Sequence, residues 1–323
     1  MFSKPLLSVV IGSRNDGYPD GKGNYLLETT TNDLITNLGK INNNFEIIII
    51  DYNPPKKKKS LFQDIKLKKI KNVHVKFIKV DEKFHAILKY HDKFFLNQET
   101  AFNVGIQRAN GTFILTKNAD TILNKEFYNL LRLNFFKEKD NAFYRCPRID
   151  YDLEIFIKRQ WNPIPPDTRI NYACGDFILM SKSNWKKIRG YWENGEAYQD
   201  GCDSIVTETA KFFKINEINI EKCFIFKPKH NLIHEKRTDY KYYKLNIFIL
   251  DQIFNFFRRV LIRLGLIKRR AKITARNGTS EKILMDIYVY DLIRKIKKNR
   301  IDLPLNKSKN WGLRDIKLKE NIL

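Results

Sequence analysis

Asp120 closes the stretch GTFILTKNAD, Gly111 to Asp120, in which an apolar run stops at the polar triplet Asn118-Ala119-Asp120. A carboxylate at the carboxyl end of a buried strand stands where open α/β sheets bind their ligands. Hard divalent cations need oxygen ligands, and one or two carboxylates plus substrate phosphates suffice for magnesium-type sites. Asp120 is therefore a candidate metal ligand, and Asn118 a candidate partner for a sugar or ribose hydroxyl. The competing use of Asp120 is to cap a helix over the following TILNKEFYNLL. Ser13, Arg14, Asn15 and Asp51 also follow directly on apolar runs, so one crevice is expected to collect them with Asn118 and Asp120. For Asp51, which stands just before Asn53-Pro54-Pro55, turn initiation is the alternative.

Other patterns are weaker. His230 and His234 lie four apart, but the order is HxxxHE and not the HExxH of metalloproteases. GYPDGKGN, from Gly17, is one residue too short for a phosphate-binding P-loop, and Gly23 stands where the hydroxyl residue would hold magnesium. No GxGxxG follows the first apolar run, which argues against a dinucleotide fold of that kind.

The elements that must position these residues alternate. LLSVVIGS (Leu6 to Ser13) and FEIIIIDY (Phe45 to Tyr52) are continuous apolar runs, the pattern of strands buried on both faces of a parallel sheet. NYLLETTTNDLITNL between them has helical spacing, which makes a βαβ unit. VHVKFIKV is a third strand, and ETAFNVGIQRANG is a helix closed by Gly111 before the next strand. The middle, Phe143 to His234, mixes short strands with Pro-rich loops and a helix near DSIVTETAKFF. The expected fold is α/β, a mostly parallel sheet flanked by helices over residues 1–237, with a basic helical C-terminal extension over residues 238–323.

With 323 residues, 43% of them hydrophobic and 13% aromatic, the chain can bury a full core, so disorder is excluded as the general state. Four scattered cysteines without a CxxC pair indicate neither a disulfide framework nor a zinc knuckle and fit a reducing compartment. The first apolar run is too short for a signal peptide and reads as a first strand. The formal charge is +24, and from Thr238 onward 21 Lys and Arg face 8 Asp and Glu, a net of +13. Such a charge suits nucleic acid, an anionic membrane face or an anionic substrate. No nucleic-acid reading motif accompanies it. Leu245 to Ile267 is apolar but broken by Asp251, Arg258, Arg259 and Arg263, too often for a spanning helix, which leaves a basic amphipathic helix on an anionic bilayer or a face packed on its own domain.

Five segments in order, LSVVIGSRND, EIIIIDYNPP, AFNVGIQRANGTFILTKNAD, ACGDFILMSKSNWKKIRGYWE and GCDSI, resemble the family 2 glycosyltransferases of the GT-A fold, over roughly Leu6 to His234. The resemblance implies that Asp120 is the last carboxylate of the DxD motif, which holds Mn²⁺ or Mg²⁺ on the diphosphate of a nucleotide sugar, and that His234 completes the metal site. It implies further that Asp51 contacts the nucleotide base, that Ser13 and Arg14 line the nucleotide, and that Asp176 lies where sugar hydroxyls bind. YQDGCDSIV resembles the region supplying the catalytic base of inverting enzymes. There Asp200 follows Gln199 as Asp follows Glu in the usual pair, while Asp203 immediately precedes a helix; Asp203 is preferred, with Asp200 the alternative. Two positions depart from the family pattern: Asn118 replaces the first acid, and Phe102 stands where relatives often carry Arg. Trp185 and Trp192 are expected to be packing residues.

The implied protein is a cytoplasmic, metal-dependent transferase that moves a sugar from a nucleotide-sugar donor to a hydroxyl of a glycan, lipid or protein acceptor. The competing classes are a catalytically silent sugar-nucleotide-binding relative, a nucleic-acid-binding protein using the basic tail, and a membrane-surface scaffold.

Overall fold

The computed structural model describes residues 4–18, 21–137, 141–158, 171–172, 175–198, 201–220, 222–229, 257, 260–261, 264, 269–274, 282–287 and 289–323. Asp200, His230 and His234 lie outside these residues.

Strand β1 (Leu7–Ser13) leads through helix α1 (Gly23–Leu38) to β2 (Phe45–Tyr52), so the βαβ unit expected from the sequence forms. A short helix α2 (Leu61–Asp64), strand β3 (Val73–Val80), a second short helix α3 (Glu82–His85) and helix α4 (Gln98–Arg108) follow. Next come β4 (Phe113–Asn118), the two-residue β5 (Ile122–Leu123) and α5 (Lys125–Arg132). The middle region carries β6 (Ala142–Arg145), β7 (Pro147–Tyr151), α6 (Leu153–Ile157), β8 (Asn171–Tyr172), β9 (Phe177–Ser181), α7 (Lys182–Ile188), α8 (Cys202–Phe212), β10 (Asn216–Asn219) and β11 (Ile225–Pro228).

Eight strands form one sheet in the order β10-β6-β9-β4-β1-β2-β3, ending on a strand β14 (Lys319–Ile322) from the chain's last residues. Strands β1 to β4 pair in parallel, β9 runs antiparallel between β4 and β6, and β14 runs antiparallel to β3. This is the mostly parallel α/β sheet flanked by helices that the sequence pattern predicts. The alternation along each strand explains why the runs are apolar throughout. Leu7, Val9 and Ile11 of β1 join Phe45, Ile47 and Ile49 of β2 in one core cluster, while Val10, Ile48, Ile50 and Tyr52 join the cluster on the opposite face. Helix α4 comes close enough to β1 that a Cβ at Gly105 would stand 2.2 Å from a methyl of Val10, so the residue there has no side chain.

A smaller sheet, β5-β11-β7-β8, lies beside the carboxyl end of β4. Its importance is that β7 and β11 bring Arg148 and Lys227 to the crevice.

The C-terminal extension differs from the helical expectation. Its described residues contain a hairpin, β12 (Arg269–Thr274) with β13 (Lys282–Ile287), then helix α9 (Val289–Lys297) and the tail ending in β14. The tail is integral to the first region. Trp311 is buried in the α4-side core. Arg108 at the end of α4 donates to the carbonyls of Gly312, Leu313 and Ile316, and Gln107 donates to that of Trp311. The physical reason is edge protection: without β14 the backbone groups of β3 would face water unpaired. Trp311→Ala is expected to cost about 3–5 kcal/mol, the usual loss for a buried tryptophan. Urea unfolding should show this as a lower midpoint of a single transition, because the tail and the main sheet share one core.

Candidate functional site

The register gathers the crevice. Ser13 pairs with Asp51 across β1 and β2, Gly12 pairs with Asn118 across β1 and β4, and Asp51 pairs with Lys79 across β2 and β3. The carboxyl ends of the central strands therefore meet in one row, as the sequence implies.

Asp51 is 2% exposed, and its Oδ2 accepts the backbone N–H of Leu61 at 3.0 Å, which ties the start of α2 to the strand. Its Oδ1 is buried and has no hydrogen-bond partner among the described residues. Burial pushes this carboxyl up to about 6, against the pull of the Leu61 N–H and of Lys79 and Arg14. Asp51 thus lies within the strand and not in a turn. Arg14 stands beside it, its Nε donating to the carbonyl of Asn53 at 2.6 Å and its Nη1 to Asp16 at 2.8 Å, with the guanidinium over the ring of Phe95 at 4.8 Å. Ser13 is partly exposed at the same rim, whereas Asn15 is committed to Lys59, Asp64 and Asn24.

At the end of β4, Asn118 accepts from the side-chain amide of Gln98 and donates to Asp176. Asp176 is 3% exposed; its Oδ2 accepts from Arg148 at 2.6 Å and its Oδ1 from Lys227 at 2.9 Å as well as from Asn118. Burial raises this carboxyl, yet the cations Lys227 and Arg148 overcome the effect and leave it below the ordinary value. Its oxygens are largely taken up, so its contribution is to hold Asn118 and the two cations. Lys227 is likewise pulled down by burial and lifted further by Asp176 and Asp120, so it stands as an ammonium.

Asp120 is 9% exposed and does not cap a helix: the residue before α5 is Asn124. Its charge acts on Lys117, Lys227 and Asp176. Lys117 is 1% exposed, donates to the carbonyl of Asn118 at 2.7 Å, and is brought down to about 8 by burial, with Asp120 opposing. Among the described residues no three His, Cys, Asp or Glu side chains are grouped to hold a metal ion. What the described chain supplies is one carboxylate, Asp120, which fits a hard cation only where phosphate oxygens complete its shell.

Asp203 lies inside the first turn of α8, two residues after the Gly201 N-cap and not immediately before the helix as expected. Its carboxylate rests on Gly175, where a Cβ would come within 2.8 Å of Oδ1. Gly175 precedes Asp176, so a continuous set of contacts joins Asp203 through this backbone to Asn118. Trp185 is fully buried and donates to the carbonyl of Ile114, the packing role expected for it.

Local motifs did not reveal Arg148, Lys227 or Glu99, whose neighbours are distant in sequence. A lysine inside an apolar strand, Lys117 in FILTKN, was the one local signal available.

No known family matches the chain, and no curated protein matches it. Solved structures do. S. aureus TarS 1–349 in complex with UDP-GlcNAc is 15% identical with a TM-score of 0.43, over 70% of this chain and 59% of that one. The same protein in complex with UDP gives 15% identity and a TM-score of 0.42, over 68% and 60%. TarS 1–349 without a named ligand gives 14% and 0.42, over 69% and 60%. The chain thus spans about 60% of the length of these solved chains.

A buried carboxyl lifted from 3.8 to about 6 opposes folding as it ionises. Its burden is absent below the unfolded value and grows as pH rises toward about 6. Asp51→Asn, which keeps an acceptor for Leu61, is expected to stabilise the ligand-free protein at pH 7 by up to about 3 kcal/mol. The gain should vanish near pH 4 in thermal unfolding followed across pH.

Proposed function

We propose that this protein transfers a sugar from a nucleotide-sugar donor to an acceptor hydroxyl, with inversion at the anomeric carbon. The observation that carries the reading is the buried Oδ1 of Asp51 at the carboxyl end of the sheet, which has no hydrogen-bond partner among the described residues. A buried acceptor without a donor is costly, and an N–H on the edge of a nucleotide base would satisfy it. Arg14 and Ser13 stand beside that position, and the cations Lys117 and Lys227 surround Asp120 where a diphosphate would bring negative charge. The UDP-GlcNAc and UDP bound by TarS belong to the same ligand class, and UDP-GlcNAc is the first donor to try.

In this reading Asp120, with His234 and the donor's phosphate oxygens, would hold Mn²⁺ or Mg²⁺. When bound, the ion would neutralise charge on the departing diphosphate as a Lewis acid. The chain's own residues do the rest. Asp51 and Arg14 orient the nucleotide, and Arg148, Asp176 and Asn118 fix the floor of the crevice. Asp203, with Asp200 the alternative, takes the proton of the acceptor hydroxyl as its oxygen bonds to the anomeric carbon and the carbon–phosphate-oxygen bond breaks. A positioned base of this kind contributes about 10² to 10⁴ in rate.

Asn118 in place of a carboxylate favours one second reading, a silent relative that binds the donor without transfer. The two separate by experiment. Asp120→Ala should abolish Mn²⁺-dependent release of UDP from UDP-GlcNAc and the thermal shift the pair produces. Asp203→Asn should keep the shift and lose turnover by at least about a hundredfold. Undiminished turnover in either variant overturns that residue's role, and a shift without turnover in the unaltered protein identifies the silent relative.

No helix among the described residues is long and apolar enough to cross a membrane. Phe257, Leu261 and Leu264 are exposed at spacings of four and three, within a stretch that also carries Arg258, Arg259 and Arg263. Apolar residues at that spacing among arginines support peripheral contact with an anionic membrane from the cytoplasmic side. Flotation with vesicles containing anionic lipid should recover the protein, and Leu261→Glu with Leu264→Glu should reduce recovery several-fold.

A further inference from the structure

The excess of positive charge includes a run that the reading above does not use. Between β2 and β3, residues 56–72 carry eight lysines, Lys56 to Lys59, Lys66, Lys68, Lys69 and Lys71, against one acid, Asp64. All eight lysines are exposed. Lys56 pairs with Glu82 at 2.8 Å, and the other seven ammonium groups have no acidic partner among the described residues. The acids beside them are committed to other groups. Oδ2 of Asp64 accepts from Asn15 and Asn24, and Oε2 of Glu28 accepts the backbone N–H of Lys66.

The fold lays this segment out as a strap along α1. At its crevice end Asp51 accepts the N–H of Leu61, and the carbonyl of Lys59 accepts from Asn15 at 2.8 Å, so Lys56 to Lys59 stand at the rim. Farther along, Asn32 donates to the carbonyl of Lys66 at 2.9 Å and accepts the N–H of Lys68 at 2.8 Å, while Nζ of Lys68 donates to Thr36 at 3.0 Å. Glu28, Asn32 and Thr36 follow one another by a helical turn, so one face of α1 sets the direction of the strap. The strap ends at Asn72, whose Nδ2 donates to the carbonyls of Ile41 and Asn43. Asn72 lies in the wall of a cavity of about 320 Å³ at the amino end of the sheet, lined also by Lys4, Lys137, Asn42, Asn43 and Thr112. The cations thus run the depth of the sheet, about 26 Å for the eight residues of β3.

We propose that the strap is a binding track for an anionic glycan, which it leads from the cavity at the amino end of the sheet to the crevice, and that this polymer is the acceptor. The acceptor role rests on the sugar-transfer reading; the track does not. Cations spaced along a fixed backbone match a chain of repeated anionic groups, and since each exposed pair adds little, affinity comes from the number engaged together. The cavity adds side-chain amides and a hydroxyl, groups that can hydrogen-bond sugar hydroxyls, beside two more ammonium groups. The strap's other side chains suit the other polyanions poorly. Its one aromatic residue, Phe62, packs on Phe77 at 5.5 Å, so no ring is offered for a base to stack on. Leu67 and Ile70 pack against the core and leave nothing apolar to enter a bilayer.

The test uses the full chain and needs no donor for its first part. Fluorescence anisotropy should show binding of a labelled dextran sulfate long enough to span the track, and none of neutral dextran of the same length. Lys57→Gln, Lys58→Gln, Lys66→Gln and Lys69→Gln together should weaken that binding at least about tenfold. Four changes of equal charge on the opposite face of the sheet, Lys186→Gln, Lys298→Gln, Arg300→Gln and Lys309→Gln, should weaken it by less than about twofold. Lys4→Gln with Lys137→Gln should weaken the long polymer and leave a sulfated disaccharide unchanged, since only the long chain reaches both ends. Equal losses in the two fourfold variants overturn the track in favour of a diffuse field. Tighter binding of a single-stranded oligonucleotide of equal charge through the same lysines makes nucleic acid the occupant, and strap changes that abolish flotation with anionic vesicles but spare dextran sulfate make it a membrane; either result overturns the glycan. In the second part, dextran sulfate should alter UDP release from UDP-GlcNAc by the unaltered protein and not by the strap variant. No effect in a protein that releases UDP overturns the acceptor role while the track stands. No UDP release under any condition is the failure of the transfer reading itself, and the binding result then decides the track alone.

Discussion

The structure depends on the placement of one buried carboxylate, that of Asp176, between Arg148, Lys227 and Asn118. Burying ions is costly unless each is paired and hydrogen-bonded, and here the partners come from β7, β11 and β4, which belong to two different sheets. The ion cluster therefore specifies how the small sheet meets the large one. Removing a partner would leave an uncompensated charge in the interior, a loss usually larger than anything the pair adds to stability.

This cluster also sets the electrostatics of the crevice. With Asp176 occupied by Arg148 and Lys227, the charge of Asp120 is opposed by Lys117 and Lys227, and the remaining field favours an anionic ligand. Elsewhere the balance is reversed: the charges of Glu99 and Asp203 act on buried Cys202, and Glu193 acts on Glu99. Both environments are expensive for a fold without a ligand, as is Asp51 with an oxygen that has no partner among the described residues. Perturbed groups converging at the carboxyl ends of strands mark a site used for binding or chemistry.

Much of this was legible from the residues. Continuous apolar runs predicted β1 and β2 almost to the residue, because a strand buried on both faces has few polar positions to blur its limits, and β3 was legible instead from its alternation of apolar and polar residues. The endings of those runs placed Ser13, Arg14, Asp51, Asn118 and Asp120 in one crevice. The extension was not legible in the same way. Its basic, apolar composition suggested helices, yet β14 pairs with the edge of β3, and a four-residue strand carries no periodicity strong enough to read. The pairing of Asp176 with Arg148 and Lys227 was not legible, because nothing near Asp176 in the chain announces either cation.

The sequence alone determined the alternating α/β order and which residues end the strands, since both follow from local hydrophobic pattern and the obligatory pairing of backbone groups. Only the tertiary structure decided which charges meet: that Asp176 is neutralised by Arg148 and Lys227, while Asp51 keeps an oxygen without a partner among the described residues. Such encounters join residues tens of positions apart, and their energies come from burial and mutual distance, neither of which exists until the chain has closed.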